Sequence, residues 1–300
     1  MHLGVGAAAH PVEQRMSEGV ATVDAVQQYR RAAALPGTGR AGAWRCDAGP
    51  VPVVDLNADV GEDAADPAEE AELVGIVSSV NVSGGAHAGS PQSIYAAVSA
   101  AVAAGTVIGA HPSYPDRPGF GRRPFPMDRE ALARSVVQQI SVVGVAAEKA
   151  GGVLRYVKPH GALYHEACTR PDAARLVADA ARECGIGVLL LAAGAPVLAG
   201  GAALGVDIAT EAFADRAYRA DGTLVSRDQD GAVLDDEADV VRQALSVVLD
   251  GRAPATDGAW VELSASSLCL HGDTPGARAL ARAVRRALED AGVQVEPFAS

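Results

Sequence analysis

From Val51 onward, short apolar runs alternate with longer stretches rich in Ala, Leu and Val. The spacing predicts strands at Val51–Val54, Ser79–Val82, Val107–Ala110, Leu154–Val157, Val188–Leu191, Val206–Ala209 and Ser267–Leu270. Helices are predicted at Pro91–Ala104, Asp128–Ala150, Pro171–Cys184, Asp235–Asp250 and Pro275–Ala291. Asp128 and Asp235 read as N-caps, and Glu130 and Glu237 place acid in first turns, where the helix dipole favours it. Gly151 and Gly292 follow as stops. Repeated strand–helix alternation predicts a parallel sheet with helices outside it. Right-handed crossovers repeated that often either close into a barrel or lay out an open doubly wound sheet, and the pattern leaves both open.

The polar residues gather where the strands end. The first strand runs into Asp55, Asn57, Asp59 and Glu62. The second leads to Asn81 and, past the Gly84–Gly85 pair, to His87; the third leads to His111, Ser113, Tyr114 and Asp116. The fourth leads to Lys158, His160 and Tyr164, the sixth to Glu211, Asp215, Arg216 and Tyr218, and the last to His271 and Asp273. In parallel βα folds all strand C-termini open on one face, so these groups are expected to share one active site. A single such histidine more often serves structure than function; the repetition at strand after strand carries the inference. Lys158, next to Tyr156 and Val157, is placed either to meet an anion or to form a salt bridge with Asp55 or Asp59. Glycines at 84, 85, 89, 109, 161 and 272 permit tight turns or close ligand approach, and Pro112, Pro115, Pro159 and Pro275 stiffen the loops.

Residues 1–50 differ from this rhythm. A helix is possible at Ser17–Ala33, followed by a Pro/Gly-rich linker at Leu35–Trp44. Gly37, Gly39 and Gly42 match G-x-G-x-x-G, but no strand precedes them and no helix follows, so the dinucleotide-binding reading is rejected. We expect residues 1–50 to be a partly disordered N-terminal extension, or residues translated upstream of the true start, and residues 51–300 to be one barrel domain.

Composition narrows the partners. The net charge is −12, which disfavours nucleic acid, although a local cluster of Lys and Arg would still suit an anionic substrate. Cys46, Cys168, Cys184 and Cys269 form no C-x-x-C pair and are expected as free thiols in a reducing cytoplasm. No apolar run reaches membrane-spanning length and the N-terminus does not read as a signal peptide, so no membrane association is expected.

The motifs together point to a family. D-L-N-A-D-x-G-E at Asp55–Glu62, H-A-G at His87–Gly89, G-A-H-P-S-Y-P-D at Gly109–Asp116 and G-F-G-R-R at Gly119–Arg123 are followed by three more. These are V-K-P-H-G-A-L-Y at Val157–Tyr164, E-x-F-A-D-R-A-Y at Glu211–Tyr218 and H-G-D-T-P-G-A at His271–Ala277. In order and spacing the set resembles the LamB/YcsF family over about residues 53–292. The resemblance implies an α/β fold, a (β/α)7–8 barrel of the glycoside hydrolase/deacetylase type. It also implies the A component of a three-component 5-oxoprolinase with B and C partner subunits, which opens 5-oxo-L-proline to L-glutamate with ATP hydrolysis. Mg2+ would accompany the ATP, a resident metal is undetermined, and a homo-oligomer is compatible. On that reading Asp59 and Glu62 orient or deprotonate, His87, His111 and His160 shuttle protons or polarise the carbonyl, and Lys158 and Arg216 hold anionic oxygens. Substrate contacts are expected from Asp55, Asn57, Asn81, Tyr114, Asp116, Tyr164, Glu211, Asp215, Arg216, Tyr218, His271 and Asp273. No P-loop is present, so any ATP contact uses another geometry or lies partly in a partner.

There are departures. The family commonly has N-I-A-C-G-F-H-A-G-D-P where this chain places Gly84, Ala86 and Ser90 for the Cys, Phe and Asp, and the segment after Glu62 is shortened. Losing a carboxylate beside His87 is expected to remove a ligand or a relay partner. Two other readings stand beside the oxoprolinase. One is a metal-dependent hydrolase or deacetylase with Asp59, His87 and His111 as ligands; the other is a non-catalytic subunit whose pocket has drifted.

Overall fold

The computed structural model describes Gln27, which is helical, and residues 51–199, 203–227, 229–271 and 276–299. The expectations for the N-terminal extension, and for Cys46, Gly272, Asp273 and Pro275, fall outside the described residues. The first strand, β1 (Val53–Val60), has apolar side chains at alternate positions: Val54, Leu56, Ala58 and Val60 are all buried in the main hydrophobic core. The positions between them, Asp55, Asn57 and Asp59, therefore face the opposite side of the strand.

The chain then runs through α1 (Pro67–Ile76), β2 (Ser79–Ser83), α2 (Pro91–Ala104), β3 (Val107–His111), α3 (Arg129–Ala150) and β4 (Leu154–Val157). It continues through α4 (Gly161–Thr169), α5 (Pro171–Glu183), β5 (Val188–Ala192), α6 (Pro196–Ala199) and β6 (Asp207–Phe213). After a long loop, α7 (Glu237–Leu245) passes into a π-helical turn at Ser246–Asp250. An antiparallel hairpin of β7 (Arg252–Pro254) and β8 (Trp260–Glu262) precedes β9 (Ser267–Leu270), α8 (Ala277–Asp290) and β10 (Gln294–Val295).

The sheet closes. Strands β1 to β6 pair in sequence order, β6 pairs with β9, and β9 returns to β1, where Asp55 lies opposite Ser267. Every one of these pairings is parallel. The result is a seven-stranded barrel, which decides the alternative between barrel and open sheet. Short β10 adds to the lower part of β1, pairing beside Val53 and Val54.

The barrel is filled rather than hollow. Near its N-terminal end, Tyr156 and Leu190 are fully buried and pack with Ala299 and Phe298. The Tyr156 hydroxyl donates to Asn81 Oδ1 at 2.8 Å, and its ring lies over Gly109, where a Cβ would come within 2.3 Å of the ring. Glycine at 109 is thus what lets an aromatic side chain cross the barrel.

Outside, the helices bury one stripe each. On α8 the buried positions Leu280, Ala281, Val284, Ala287 and Leu288 follow the helical period. Asp128 caps α3 by accepting from the Ala131 N–H, as expected, and Gly151 ends it in the left-handed conformation. The cap of α7 is Asp236, not Asp235, because the Asp236 carboxylate accepts from the Asp239 N–H. Strands β2, β3 and β5 run one residue further than their apolar runs suggested, and two others run four or more further. β1 reaches Val60 and β6 reaches Phe213, so Asp55, Asn57, Asp59 and Glu211 sit on the strands themselves. No described helix is long and apolar enough to cross a membrane, and Cys168, Cys184 and Cys269 are free thiols.

Candidate active site at the strand C-termini

The inward-facing polar residues form layers up the barrel. Lowest is Asp55, whose carboxylate accepts from Ser78 Oγ at 2.7 Å, from Ser79 Oγ at 2.8 Å and from Ser267 Oγ. Burial pushes its pKa up to about 6, against those three hydroxyls. Above it Asn57 donates to Ser267 Oγ at 2.7 Å and to Glu211 Oε2 at 3.3 Å, while its oxygen accepts from Asn81 at 2.7 Å. Asn81 also donates to Asp59 Oδ1 at 2.8 Å.

Lys158 joins these layers. Its ammonium, 3% exposed, lies 3.0 Å from Glu211 Oε2, 3.3 Å from Asp59 Oδ1, 3.3 Å from Asn57 Oδ1 and 3.1 Å from Cys269 Sγ. Burial alone would favour the neutral amine, but Asp59 and Glu211 hold the pKa well above its ordinary value. Reciprocally, burial pushes Asp59 up, yet His111 and Lys158 outweigh it and keep this carboxylate ionised. Of the two salt-bridge partners foreseen for Lys158, Asp59 is engaged and Asp55 is not; Glu211 takes the second place.

Three imidazoles meet beside Asp59. His111, at the end of β3, binds the Lys158 carbonyl through Nδ1 at 2.8 Å and brings Nε2 to 3.3 Å from Asp59 Oδ2. His160 binds the Phe120 carbonyl through Nε2 at 2.9 Å, and its Nδ1 lies 3.0 Å from His111 Nε2. His87 stacks on His160, with ring centroids 3.8 Å apart, and is held between Ser113 Oγ and Glu62 Oε1, each at 2.8 Å. Burial, together with the neighbouring His111 and His87, depresses the His160 pKa well below the ordinary imidazole value; burial also lowers that of His87 despite Glu62. Both rings are therefore neutral at pH 7.

The opposite wall carries Glu211, Tyr164, Phe213 and His271. His271 stacks on Phe213 and its Nδ1 lies 3.0 Å from Asp215, which also accepts the His271 N–H. Glu211 Oε1 and the Tyr164 hydroxyl are buried and make no hydrogen bond among the described residues. Such groups are normally satisfied, so both are suited to meet a water or a substrate atom.

These walls enclose a pocket of about 940 Å³ whose lining includes Asp59, Glu62, His111, Lys158, His160 and Glu211. Tyr164, Arg216, Tyr218 and His271 also face it, as do Arg122, Arg123, Arg219 and Arg227. The arginines concentrate positive charge at the mouth of a chain whose net charge is −12.

Other expected site residues take supporting positions. Arg216 donates to the Ala232 and Val225 carbonyls, and burial, with Arg227 nearby, lowers its pKa to about 10. The Tyr218 hydroxyl accepts from the Phe213 N–H, and Asp215 orients His271. Tyr114 donates to Glu166 and Asp116 accepts from the Gly119 N–H, so both brace loops outside the pocket lining. Asp55, Asn57, Asn81 and His87 stand one layer behind it. Residues that the strand-exit pattern passed over include Cys269 and Ser267, which are inward positions on β9, and Gln139, which clamps Ser113 from α3.

The sequence departures have local explanations. A Cβ at Gly84 would lie 2.5 Å from Gln139 Cβ, so glycine there admits the side chain that holds Ser113 against His87. Ser90 forms a capping box with Ser93 at the start of α2, and the carboxylate beside His87 is Glu62. Asp63, in the shortened segment, accepts from the Gly89 and Ser90 N–H groups and from Ser93 Oγ, tying it to that loop. Nothing in the structure explains Ala86.

Known proteins resemble this chain in sequence and fold. A model of the LamB/YcsF family matches residues 54–300. A relative from Agrobacterium fabrum, named as an A subunit of 5-oxoprolinase, is 42% identical over 250 residues, covering 82% of this chain and 98% of that relative. The 5-oxoprolinase A subunit from Mycobacterium ulcerans is 42% identical over 251 residues, covering 83% and 100%. Among solved structures, the lactam utilization protein from Thermus thermophilus superposes with a TM-score of 0.75 at 39% identity, covering 82% of this chain and 100% of that one.

Proposed function

The chain belongs to the LamB/YcsF family, and on that premise we propose that it is the A component of a 5-oxoprolinase. It opens the lactam of 5-oxo-L-proline to L-glutamate, coupled to ATP hydrolysis and acting with B and C partner subunits. The relatives named as A subunits of 5-oxoprolinase, and the lactam utilization protein, support this reading. The observation that carries it is the pocket in which Asp59, Glu62, His111, Lys158, His160 and Glu211 converge under an arginine-lined mouth.

A lactam carbonyl is a poor electrophile. Transfer of the ATP γ-phosphoryl group to its oxygen, releasing ADP, activates the carbon. Water then adds there and delivers a proton to a base. The ring C–N bond breaks as the nitrogen gains a proton, leaving an acyl phosphate that a second water converts to glutamate and phosphate. Glu62, hydrogen-bonded to His87 and 3.7 Å from His160, is placed to take and return those protons. Asp59, kept ionised by His111 and Lys158, places a fixed negative charge 3.3 Å from His111 rather than exchanging its own proton. Lys158 has more acceptors around it than N–H donors, so it fixes Asp59 and Glu211 in place. Glu211 Oε1 and the Tyr164 hydroxyl offer an acceptor and a donor to the lactam N–H and carbonyl. The arginines at the mouth suit the phosphates of ATP, whose Mg2+ would enter with it.

Reconstitution tests the proposal. The chain mixed with B and C subunits, 5-oxoproline, Mg2+ and ATP should release glutamate and phosphate together, above a control lacking this chain. Glutamate formed equally without ATP would favour direct hydrolysis, and no glutamate from a folded, assembled complex would reject the assignment.

A further inference from the structure

The hydrogen bonds that anchor His111 and His160 fix both tautomers. A carbonyl oxygen only accepts, so His111 Nδ1 carries the hydrogen it gives to the Lys158 carbonyl, and His160 Nε2 carries the one it gives to the Phe120 carbonyl. When both rings are neutral, the remaining atoms, His111 Nε2 and His160 Nδ1, each present a lone pair to the other across 3.0 Å. Asp59 Oδ2, also an acceptor, stands 3.3 Å from the same His111 nitrogen. In that state three acceptors converge with no hydrogen between them, and all three residues line the pocket.

We propose that Asp59, His111 and His160 bind one divalent first-row transition ion, with open coordination positions facing the pocket. The spacing fits. Bonds of about 2.0–2.2 Å place neighbouring ligand atoms roughly 3.0 Å apart, and opposite ones roughly 4.2 Å apart, in an octahedral site; two pairs here are 3.0 and 3.3 Å apart, and the wider Asp59–His160 pair lies within 4.8 Å. The outer shell has the form metal sites need. Each imidazole donates its other N–H to a backbone carbonyl, and the second oxygen of Asp59 is held by Asn81 and Lys158. Two imidazoles and one carboxylate suit Zn2+, Co2+ or Mn2+ better than Mg2+. The ligand set differs from that expected on sequence: His87 is occupied by Ser113 and Glu62, and His160 stands in its place. The inference does not depend on the oxoprolinase reading, because it concerns binding alone.

The test uses the full chain stripped with a chelator. Titration with Zn2+ by calorimetry, and with Co2+ by its visible d–d absorption, should give one ion per chain without ATP or substrate. His160→Ala and His111→Gln should each weaken binding on the order of 100-fold or more, whereas His271→Ala should leave it nearly unchanged. Far-UV circular dichroism establishes that each variant is folded, and Asp59→Asn, of equal volume, serves where an imidazole variant is not. Absence of stoichiometric binding by the folded wild-type chain would overturn the proposal, the histidine pair then sharing a proton. Binding lost in His271→Ala but kept in His160→Ala would overturn it too, by placing the ion among Asp59, Cys269 and His271. Failure of ring opening in the reconstituted system leaves this measurement untouched.

Discussion

Replacing Lys158 with Met probes the centre of the barrel. The ammonium is 3% exposed and lies 3.0 Å from Glu211 and 3.3 Å from Asp59. Removing it leaves two carboxylates in a space that solvent hardly reaches. Breaking a buried ion pair from one side destabilises by about 3–5 kcal/mol, because the remaining charge is uncompensated. Lys158→Met should therefore lose about that much at pH 7, measured by urea denaturation followed by circular dichroism. Glu211→Gln removes one of the stranded charges, so the double variant Lys158→Met/Glu211→Gln should be more stable than Lys158→Met alone. The deficit should also shrink as pH falls. Protonation at low pH neutralises a buried carboxylate that the ammonium no longer compensates. A Lys158→Met chain within about 1 kcal/mol of wild type at pH 7, or a double variant no better than the single one, would refute the buried-pair argument.

Other outcomes follow from the same contacts. Asp55 has a folded pKa of about 6 against 3.8 in the free residue, so its stabilising contribution is present below about pH 4 and lost as pH rises through 6. Relative to Asp55→Asn, wild type should lose about 3 kcal/mol across that interval by chemical denaturation; a pH-independent difference would contradict the shift. Gly84→Ala should destabilise by about 1–3 kcal/mol through its clash with Gln139, read as a lowered Tm, and a smaller residue at 139 should relieve part of the loss. Ser90→Asp should leave turnover of the reconstituted enzyme unchanged, since Ser90 caps a helix and Glu62 already partners His87; a clear gain in rate would favour the drifted-subunit reading.

Much of this fold and site was legible from pattern. Alternating runs predicted the parallel βα architecture because buried parallel strands are continuous in apolar character at their starts. Strand ends were misjudged where the barrel interior turns polar. The Asp55–Val60 segment looks like a loop by composition, yet its apolar residues face the helices while Asp55, Asn57 and Asp59 face inward. Period two with reversed meaning is easily read as irregular chain. Closure depended on β1 pairing with both β2 and β9, a contact between residues far apart in sequence that periodicity does not encode. The convergence of His87, His111 and His160 followed from their strand-exit positions, whereas their tautomers depended on which carbonyls face them. Tyr114 and Asp116 sit in the same kind of loop as His111 but point into loop-bracing bonds, a distinction that residue type does not reveal. Cys269 was read only as a free thiol, because its contact with Lys158 spans 111 residues.

The most direct test of the active-site assignment is the glutamate-release rate of the reconstituted complex carrying Asp59→Asn, with folding and assembly matched to wild type. Loss of the charge beside His111 is predicted to slow ring opening on the order of 100- to 1000-fold. A rate within about threefold of wild type would show that the chemistry takes place elsewhere than in this pocket.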